Sequence, residues 1–162
     1  MISLSEEALW SLPELLNNQL IEEIDSAIII QSWNQLDNYL DHLKSSFPAD
    51  SLHAIAIKTN PHPKVLEHLV KKGFGLEAAS IEEVHLAVTA GADFSKIVFD
   101  SPVKTHHEIN YCNKNFPGLR INVNSLEELN RIPKHPNFVL GIRINPMIDA
   151  GSPSLYHVSS DE

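Results

Sequence analysis

The sequence is poor in cysteine, in basic residues and in long apolar runs, and each deficit excludes a class of protein. Its one cysteine, Cys112, among 162 residues leaves no internal disulfide and no CxxC for a zinc cluster. Twelve Lys and Arg residues oppose 21 Asp and Glu, for a net charge of −9, which disfavours nucleic acid or an anionic membrane as partner. No stretch approaches the ~20 apolar residues of a membrane span, and no signal peptide pattern opens the chain. We therefore expect a cytoplasmic protein that acts on a small molecule.

Short apolar runs alternate with amphipathic segments along most of the chain. The runs occupy residues 27–31, 54–57, 76–79, 97–99, 121–123 and 139–144. From residue 54 onward their centres lie about 20 to 23 residues apart, the length of one strand, one three-turn helix and two short loops. Runs that are apolar on both faces, joined by amphipathic helices, are typical of parallel strands covered by helices. The predicted class is α/β.

The segments that follow several runs begin with the capping-box pattern Ser/Thr-x-x-Glu/Gln. In this pattern the hydroxyl accepts one free backbone N–H of the first helical turn, and the acid or amide reaches back to another. The four pairs are Ser32 with Gln35, Ser80 with Glu83, Thr105 with Glu108 and Ser125 with Glu128. Because all four fall at the same phase of the repeat, they predict helices that start soon after the strands.

The number of predicted strands is too small for a closed barrel. Residues 1–26 precede the repeat and are predicted to form a helical arm. Counted from residue 54, the chain holds about five strands of the repeat, whereas a closed (β/α)₈ barrel needs eight and typically ~250 residues. The chain is therefore either a smaller open sheet or part of a barrel in a longer protein. An open sheet leaves two unpaired edges and an uncovered apolar face, so we expect edge pairing or face-to-face packing with another chain, or else a further part of the protein that covers them.

Lys58 is the most informative single residue, because it ends the apolar run at residues 54–57. Burying an ammonium beside such a run costs on the order of several kcal/mol unless it is paired or neutralised. A lysine with a lowered pKa suits Schiff-base chemistry, because only the neutral amine attacks an aldehyde. Active sites of parallel α/β proteins also form at the carboxyl ends of strands. The alternative is a lysine that reaches solvent, and the residues alone leave both open.

A series of motifs around Lys58 resembles one enzyme family. Residues 54–69 read AIAIKTNPHPKVLEHL, which is similar to the lysine segment of the fold-type III pyridoxal-phosphate decarboxylases, approximately YAVKANPxPxVLxxL. This group includes diaminopimelate and ornithine decarboxylases. Further similar segments follow in the family's order at residues 75–83, 90–91, 97–104, 122–129, 140–146 and 149–151. The resemblance implies an alanine-racemase-like (β/α)₈ TIM barrel, of which residues 27–162 are the N-terminal part.

The resemblance also implies roles for particular residues. Lys58 would be the catalytic lysine that forms a Schiff base with pyridoxal 5′-phosphate, the electron sink for decarboxylation of an amino acid such as diaminopimelate or ornithine. Asn60 would shape the turn behind Lys58, and Glu77 and Arg143 would lie near the cofactor. The family more often has Asp where this chain has Glu77. The expected partners are the amino-acid substrate and a second copy of the chain, as a homodimer or another self-associated form.

Several functional groups of the family lie beyond the point at which this chain ends. They are the imidazole that stacks on the cofactor ring, the glycine-rich phosphate loops, the acidic partner of the ring nitrogen and the substrate-contacting residues. We therefore expect the N-terminal part of a longer enzyme. These 162 residues alone are expected to be inactive and to hold pyridoxal phosphate poorly.

Three alternative functions stay open at this point. One is a pyridoxal-phosphate carrier or a racemase on the same barrel, although the KTNPHP segment and the DAG at residues 149–151 favour the decarboxylases. A second is a non-enzymatic decarboxylase homologue that binds partner proteins. The third is a class I aldolase that uses Lys58 with a sugar phosphate, which borohydride would trap without added cofactor.

The remaining reactive side chains receive structural interpretations. The nine histidines form no HExxH and no two-His-one-carboxylate spacing, so no metal site is expected. Cys112 lies on an apolar stripe with Ile109 and Phe116 and is predicted to be a small core residue. Lys104 opens a predicted helix and is predicted to be solvated, although its phase in the repeat also points it at the catalytic face.

Overall fold

The computed structural model describes residues 6–22 and 24–144. They divide between two compact units, one within residues 1–51 and one within residues 52–162. The domain boundary after residue 26 stays a prediction, and the DAG segment at residues 149–151 lies outside the described residues. Within the described ranges, no helix is long and apolar enough to cross a membrane.

The first unit contains two helices, α1 (Glu6–Asn17) and α2 (Trp33–Ser45). Helix α1 lies within the predicted arm. Helix α2 starts as its sequence predicts, because the Ser32 hydroxyl accepts the Gln35 N–H at 3.2 Å. The apolar run at residues 27–31 has no regular secondary structure, and its middle residue, Ile29, is 94% exposed.

The second unit is built on one five-stranded sheet. Its strands are β1 (Ala54–Ala56), β2 (Gly75–Ala78), β3 (Ile97–Phe99), β4 (Arg120–Val123) and β5 (Val139–Ile142). They lie side by side in sequence order, and all four neighbouring pairs are parallel. The prediction of five parallel strands with intervening helices is therefore confirmed, and the arrangement is a partial α/β barrel.

Helices connect the strands of this sheet. They are α3 (Pro63–Lys71), α4 (Ile81–Thr89), α5 (His106–Asn115) and the short α6 (Leu126–Leu129). Two 3₁₀ turns, at Ile57–Thr59 and Phe94–Lys96, follow β1 and precede β3. Helix α3 begins at Pro63, where a missing N–H costs nothing because the first helical turn leaves that group unpaired.

The capping pattern forms at all three predicted positions in this unit. In the complete box, the Thr105 hydroxyl accepts the Glu108 N–H at 3.1 Å, and the Glu108 carboxylate accepts the Thr105 N–H at 2.6 Å. Ser80 and Ser125 also cap their helices, but in these two cases the glutamate accepts the N–H of the residue before the serine. Those N–H groups belong to Ala79, at 2.7 Å, and Asn124, at 2.8 Å. The two glutamates therefore tie each helix start to the strand before it.

The two faces of the sheet differ in burial. One face carries the core, and its apolar side chains Leu76, Ala78, Ile97, Phe99 and Ile121 are fully buried. Helices α3 and α4 pack against β2, and α6 packs against β4. Because side chains alternate along a strand, the opposite face carries Glu77 and Val98, which are half-buried. This second face is the interior of the partial barrel and leads to the candidate site.

We expect Thr105→Ala to lower the free energy of unfolding by about 1 kcal/mol, because it removes one half of a complete capping box. Urea denaturation of the two proteins measures the difference. The matched control is Thr89→Ala, since the Thr89 hydroxyl donates to the His85 carbonyl at 2.8 Å inside α4 and caps no free N–H. A loss no larger than that of the control would contradict the capping role.

Candidate active site

Four charged residues follow the carboxyl ends of the strands or lie within them. We call Lys58, Glu77, Asp100 and Arg143 the strand-end cluster. Glu77 pairs in register with Val98, so Asp100, two residues further on, lies on the same face. Arg143 reaches that face too, because Val98 pairs with Arg120 and Asn122 with Gly141. The carboxyl end of a parallel sheet is where ligands bind in α/β proteins.

Lys58 lies just past the end of the first strand. Strand β1 ends at Ala56, and Lys58 is the middle residue of the 3₁₀ turn Ile57–Thr59. Ile57 is fully buried, whereas the Lys58 side chain is exposed. The turn therefore anchors its buried isoleucine and presents the amine to solvent, so burial of the Lys58 ammonium beside the apolar run does not occur.

Asn60 shapes the connection between this turn and α3. Its backbone N–H donates to the Ile57 carbonyl at 3.0 Å, and its side-chain oxygen accepts the His62 N–H at 3.2 Å. These bonds hold the chain just before α3 begins. The expectation that Asn60 shapes the turn behind Lys58 agrees with these contacts, and a contact between Asn60 and a cofactor stays a prediction.

The charges of the other three cluster residues all shift the pKa of Glu77. Burial raises the pKa of the Glu77 carboxyl above its usual value, and the nearby Lys58 charge partly opposes this effect. The negative charges of Asp100 and Glu83 raise the same pKa further, and Arg143 lowers it. A carboxyl that is costly to ionise next to an amine is typical of functional sites.

The raised pKa of Glu77 makes its contribution to stability depend on pH. The folded chain holds the proton more tightly than the unfolded chain, so ionised Glu77 destabilises the fold at neutral pH, and this cost disappears below the unfolded pKa. We expect Glu77→Gln to raise the free energy of unfolding at pH 7 and to have no such effect near pH 4, measured by urea denaturation.

Glu82→Gln is the matched control for this measurement. Hydrogen bonds to the backbone and to Ser80 lower the pKa of Glu82, so its ionised form favours folding at neutral pH. Glu82→Gln is therefore expected to lower the free energy of unfolding at pH 7, whereas Glu77→Gln is expected to raise it. An equal gain from Glu77→Gln at both pH values would contradict the assignment.

Asp100 is a site residue that the sequence interpretation missed. Its Oδ2 lies 3.5 Å from Nη1 of Arg143. Its Oδ1 is buried and has no hydrogen-bond partner among the residues that the structure describes. The available signal was its position, since Asp100 directly follows the apolar run at residues 97–99, as Lys58 follows the run at 54–57.

Lys104 is buried, so the prediction that it is solvated is wrong. Its side chain has no exposed surface, and its Nζ lies 3.2 Å from Oε1 of Glu128. The same amine donates to the Ser101 carbonyl at 2.6 Å and lies 5.6 Å from the ring centre of Phe99. A partner 24 residues away, which the local sequence pattern does not show, makes this burial possible.

Glu128, in α6, and Lys104, in the loop after β3, join these two segments. The Glu128 carboxylate also accepts the backbone N–H groups of Lys104, at 3.1 Å, and Asn124, at 2.8 Å. The Asn124 amide donates to the Ser101 carbonyl at 2.7 Å. We call Ser101, Lys104, Asn124 and Glu128 the buried polar network. It fixes the chain directly behind Asp100.

Cys112 lies in the core, as its apolar stripe predicts. Cys112, Ile109 and Phe116 are all buried. Burial raises the pKa of the Cys112 thiol to about 12, so the thiol is protonated at neutral pH and is a poor nucleophile.

Comparison with known proteins places these residues in a family. Residues 33–162 match the family described as pyridoxal-dependent decarboxylase, pyridoxal binding domain. The chain belongs to this family. The fold of this chain is also found in a solved decarboxylase structure. The family match includes every residue of the strand-end cluster.

Individual members of the family support the same assignment. The chain is 30% identical over 138 residues to diaminopimelate decarboxylase of Campylobacter jejuni and 27% identical over 139 residues to that of Neisseria meningitidis serogroup B, with 82% of this chain covered in each case. The crystal structure of the Helicobacter pylori enzyme complexed with L-lysine superposes with a TM-score of 0.73, at 28% identity over 84% of this chain.

The matches cover only part of each relative. They span 34% of the Campylobacter protein, 33% of the Neisseria protein and 36% of the Helicobacter chain. The chain therefore spans about a third of the length of the relatives that it matches.

Proposed function

We propose that this chain is the lysine-bearing part of a pyridoxal-phosphate-dependent amino-acid decarboxylase, with Lys58 as the residue that holds the cofactor. The observation that carries the proposal is the position of Lys58, an exposed amine at the carboxyl end of a parallel sheet in a chain of this family. Residues 27–162 are proposed to be the N-terminal part of its barrel, with residues 1–26 as an arm.

The residues present fit the aldehyde end of such a cofactor. Lys58 offers a primary amine, the group that bonds an aldehyde carbon. Glu77 lies near enough to Lys58 for their charges to interact, and burial raises the pKa of its carboxyl, which makes it a better proton acceptor. When bound, pyridoxal phosphate supplies a ring that accepts the electron pair left by departing carbon dioxide. Glu77 and Arg143 are proposed to face the cofactor, and Asn60 to hold the turn that carries Lys58.

The proposed substrates are amino acids with a second amino group. The Campylobacter and Neisseria relatives are diaminopimelate decarboxylases, and the Helicobacter structure is a complex with L-lysine. Diaminopimelate and ornithine are therefore the first candidates. A cytoplasmic location agrees with the single cysteine and is proposed together with this function.

The test of the proposed function is decarboxylation by the natural product of the gene that encodes these residues. Release of carbon dioxide is measured from diaminopimelate, ornithine and lysine, with and without added pyridoxal phosphate. We expect release from one of these substrates that depends on the cofactor. No release from any of them, together with no absorbance of imine-bound pyridoxal, would contradict the proposal and favour a non-enzymatic homologue.

We also propose that the 162-residue chain associates with itself. Strand β5 lies at one end of the strand order, and its Ile142 and Val139 side chains are 66% and 47% exposed. An edge strand, whose outer side pairs with no other strand among the described residues, tends to pair with another chain when its side chains are apolar and exposed.

We expect light scattering to give a mass above the 18.1 kDa of one chain, and Ile142→Lys to shift the mass toward that value. The matched control is Val103→Lys, because Val103 is similarly exposed but lies in the loop after β3. A single species with the mass of one chain at all concentrations would contradict self-association.

A further inference from the structure

We propose that Asp100 is a positioning residue that holds the Arg143 guanidinium and thereby keeps it from pairing with Glu77. The inference rests on the proposed function only in that it concerns the same site. Its test needs neither a bound cofactor nor an active enzyme. Three observations carry it: the contact between the two side chains, the burial of the Asp100 carboxylate and the way in which the chain around Asp100 is fixed.

The contact joins residues from two different strand ends. Asp100 follows β3 and Arg143 follows β5, on the same face of the sheet, with Oδ2 and Nη1 3.5 Å apart. Glu77, in β2, lies on that face as well. Arg143 therefore has two carboxylates on the same face, and the ion pair that the structure shows is with Asp100.

The burial of the Asp100 carboxylate makes a cationic partner favourable. The Asp100 side chain is only 20% exposed, and its Oδ1 has no hydrogen-bond donor in the described part of the chain. An ionised carboxylate in such a place is unfavourable unless an opposite charge lies nearby. The Arg143 guanidinium provides that charge.

The backbone is held at both Asp100 and Arg143, and the two side chains differ in length and exposure. The Asp100 N–H donates to the Ala78 carbonyl at 2.9 Å. The next residue, Ser101, accepts at its carbonyl from two members of the buried polar network, the Lys104 amine and the Asn124 amide. The Arg143 N–H likewise donates to the Val123 carbonyl at 2.8 Å, but its long side chain is 43% exposed. The shorter and more buried Asp100 carboxylate therefore sets the position of the Arg143 guanidinium, at the end of the longer and more exposed side chain.

Removal of Asp100 is expected to redirect Arg143. The charged groups that act on Glu77 are Lys58, Asp100, Glu83 and Arg143. Asp100→Asn removes a negative charge near Glu77 and also releases Arg143 toward it. Both effects lower the pKa of Glu77, but the second one requires the arginine.

The experiment measures the pKa of the Glu77 carboxyl by carbon-13 NMR in the 162-residue chain without cofactor. The variants are Asp100→Asn, Arg143→Met and the double variant, with Asp100→Ala as a second choice should Asp100→Asn not fold. We expect Asp100→Asn to lower the pKa of Glu77, and to lower it less in the Arg143→Met background. Asp100→Glu, which keeps the charge, is expected to keep the pKa close to that of the original chain.

Two results would overturn the proposal. An equal lowering in both backgrounds would mean that Asp100 acts on Glu77 only through its charge, and no lowering would mean that the two residues are not coupled. The control is Asp93→Asn, the same charge change at the other end of β3, where Asp93 caps the turn Phe94–Lys96. Because no cofactor is present, a failed decarboxylation assay leaves this result unaffected.

Discussion

Replacement of Lys58 by Arg in the natural gene product is expected to reduce the release of carbon dioxide by orders of magnitude. The physical reason is that a guanidinium, with a pKa above ~12, never offers the neutral amine that bonds an aldehyde. Lys58→Ala is expected to reduce the release of carbon dioxide to the same extent. Steady-state release of carbon dioxide at saturating cofactor measures both effects.

Two controls separate the chemistry of Lys58 from its contribution to the fold. Lys96→Arg changes another lysine of the same unit, in the turn before β3 at the amino end of the sheet, and is expected to leave the rate unchanged. Added methylamine is expected to restore part of the activity of Lys58→Ala, since it supplies the missing amine. An active Lys58→Arg protein would show that another residue holds the cofactor.

Lys104→Met is expected to lower the free energy of unfolding by about 3–5 kcal/mol, because it leaves Glu128 as a buried charge without its partner. Methionine has nearly the shape of the lysine stem, so lost packing contributes little. The Glu128 carboxylate keeps its bonds from the backbone N–H groups of Lys104 and Asn124. Urea denaturation of the 162-residue chain, followed by circular dichroism, measures the loss.

A second substitution distinguishes the charge of the pair from its shape. The double variant Lys104→Met with Glu128→Gln removes both charges and keeps one acceptor oxygen, so it is expected to regain much of the stability that Lys104→Met loses. Lys96→Met removes an exposed lysine and is expected to change stability by less than about 0.5 kcal/mol. Equal losses in the single and double variants would contradict a buried ion pair.

The order of the strands could be predicted from the sequence because its signals are local. From residue 54 onward each apolar run specifies one strand, and a Ser or Thr cap marks the helix start after β2, β3 and β4. The run at residues 27–31 forms no strand, although Ser32 caps α2. Parallel strands joined by helices of this length lie next to each other. Strands β1 and β5 are shorter than their runs, and β1 ends at Ala56, before the buried Ile57 enters a 3₁₀ turn.

The buried ion pair and the Asp100–Arg143 contact could not be predicted in this way. Lys104 and Glu128 are 24 residues apart, and Asp100 and Arg143 are 43 apart. Their proximity depends on which strands are neighbours and on how each loop turns, which no single segment specifies. The sequence also left undecided whether Lys58 is buried or exposed, because the single turn after β1 determines whether the amine faces the core or solvent.

The most direct test of the account is to find which lysine of the natural gene product carries the cofactor. The purified protein is reduced with borohydride, digested, and analysed by mass spectrometry for peptides that carry a pyridoxyl-phosphate group. The account predicts one group per chain, on the peptide that contains Lys58. A single group on any other lysine, or a purified protein that carries none even after incubation with pyridoxal phosphate, would contradict it.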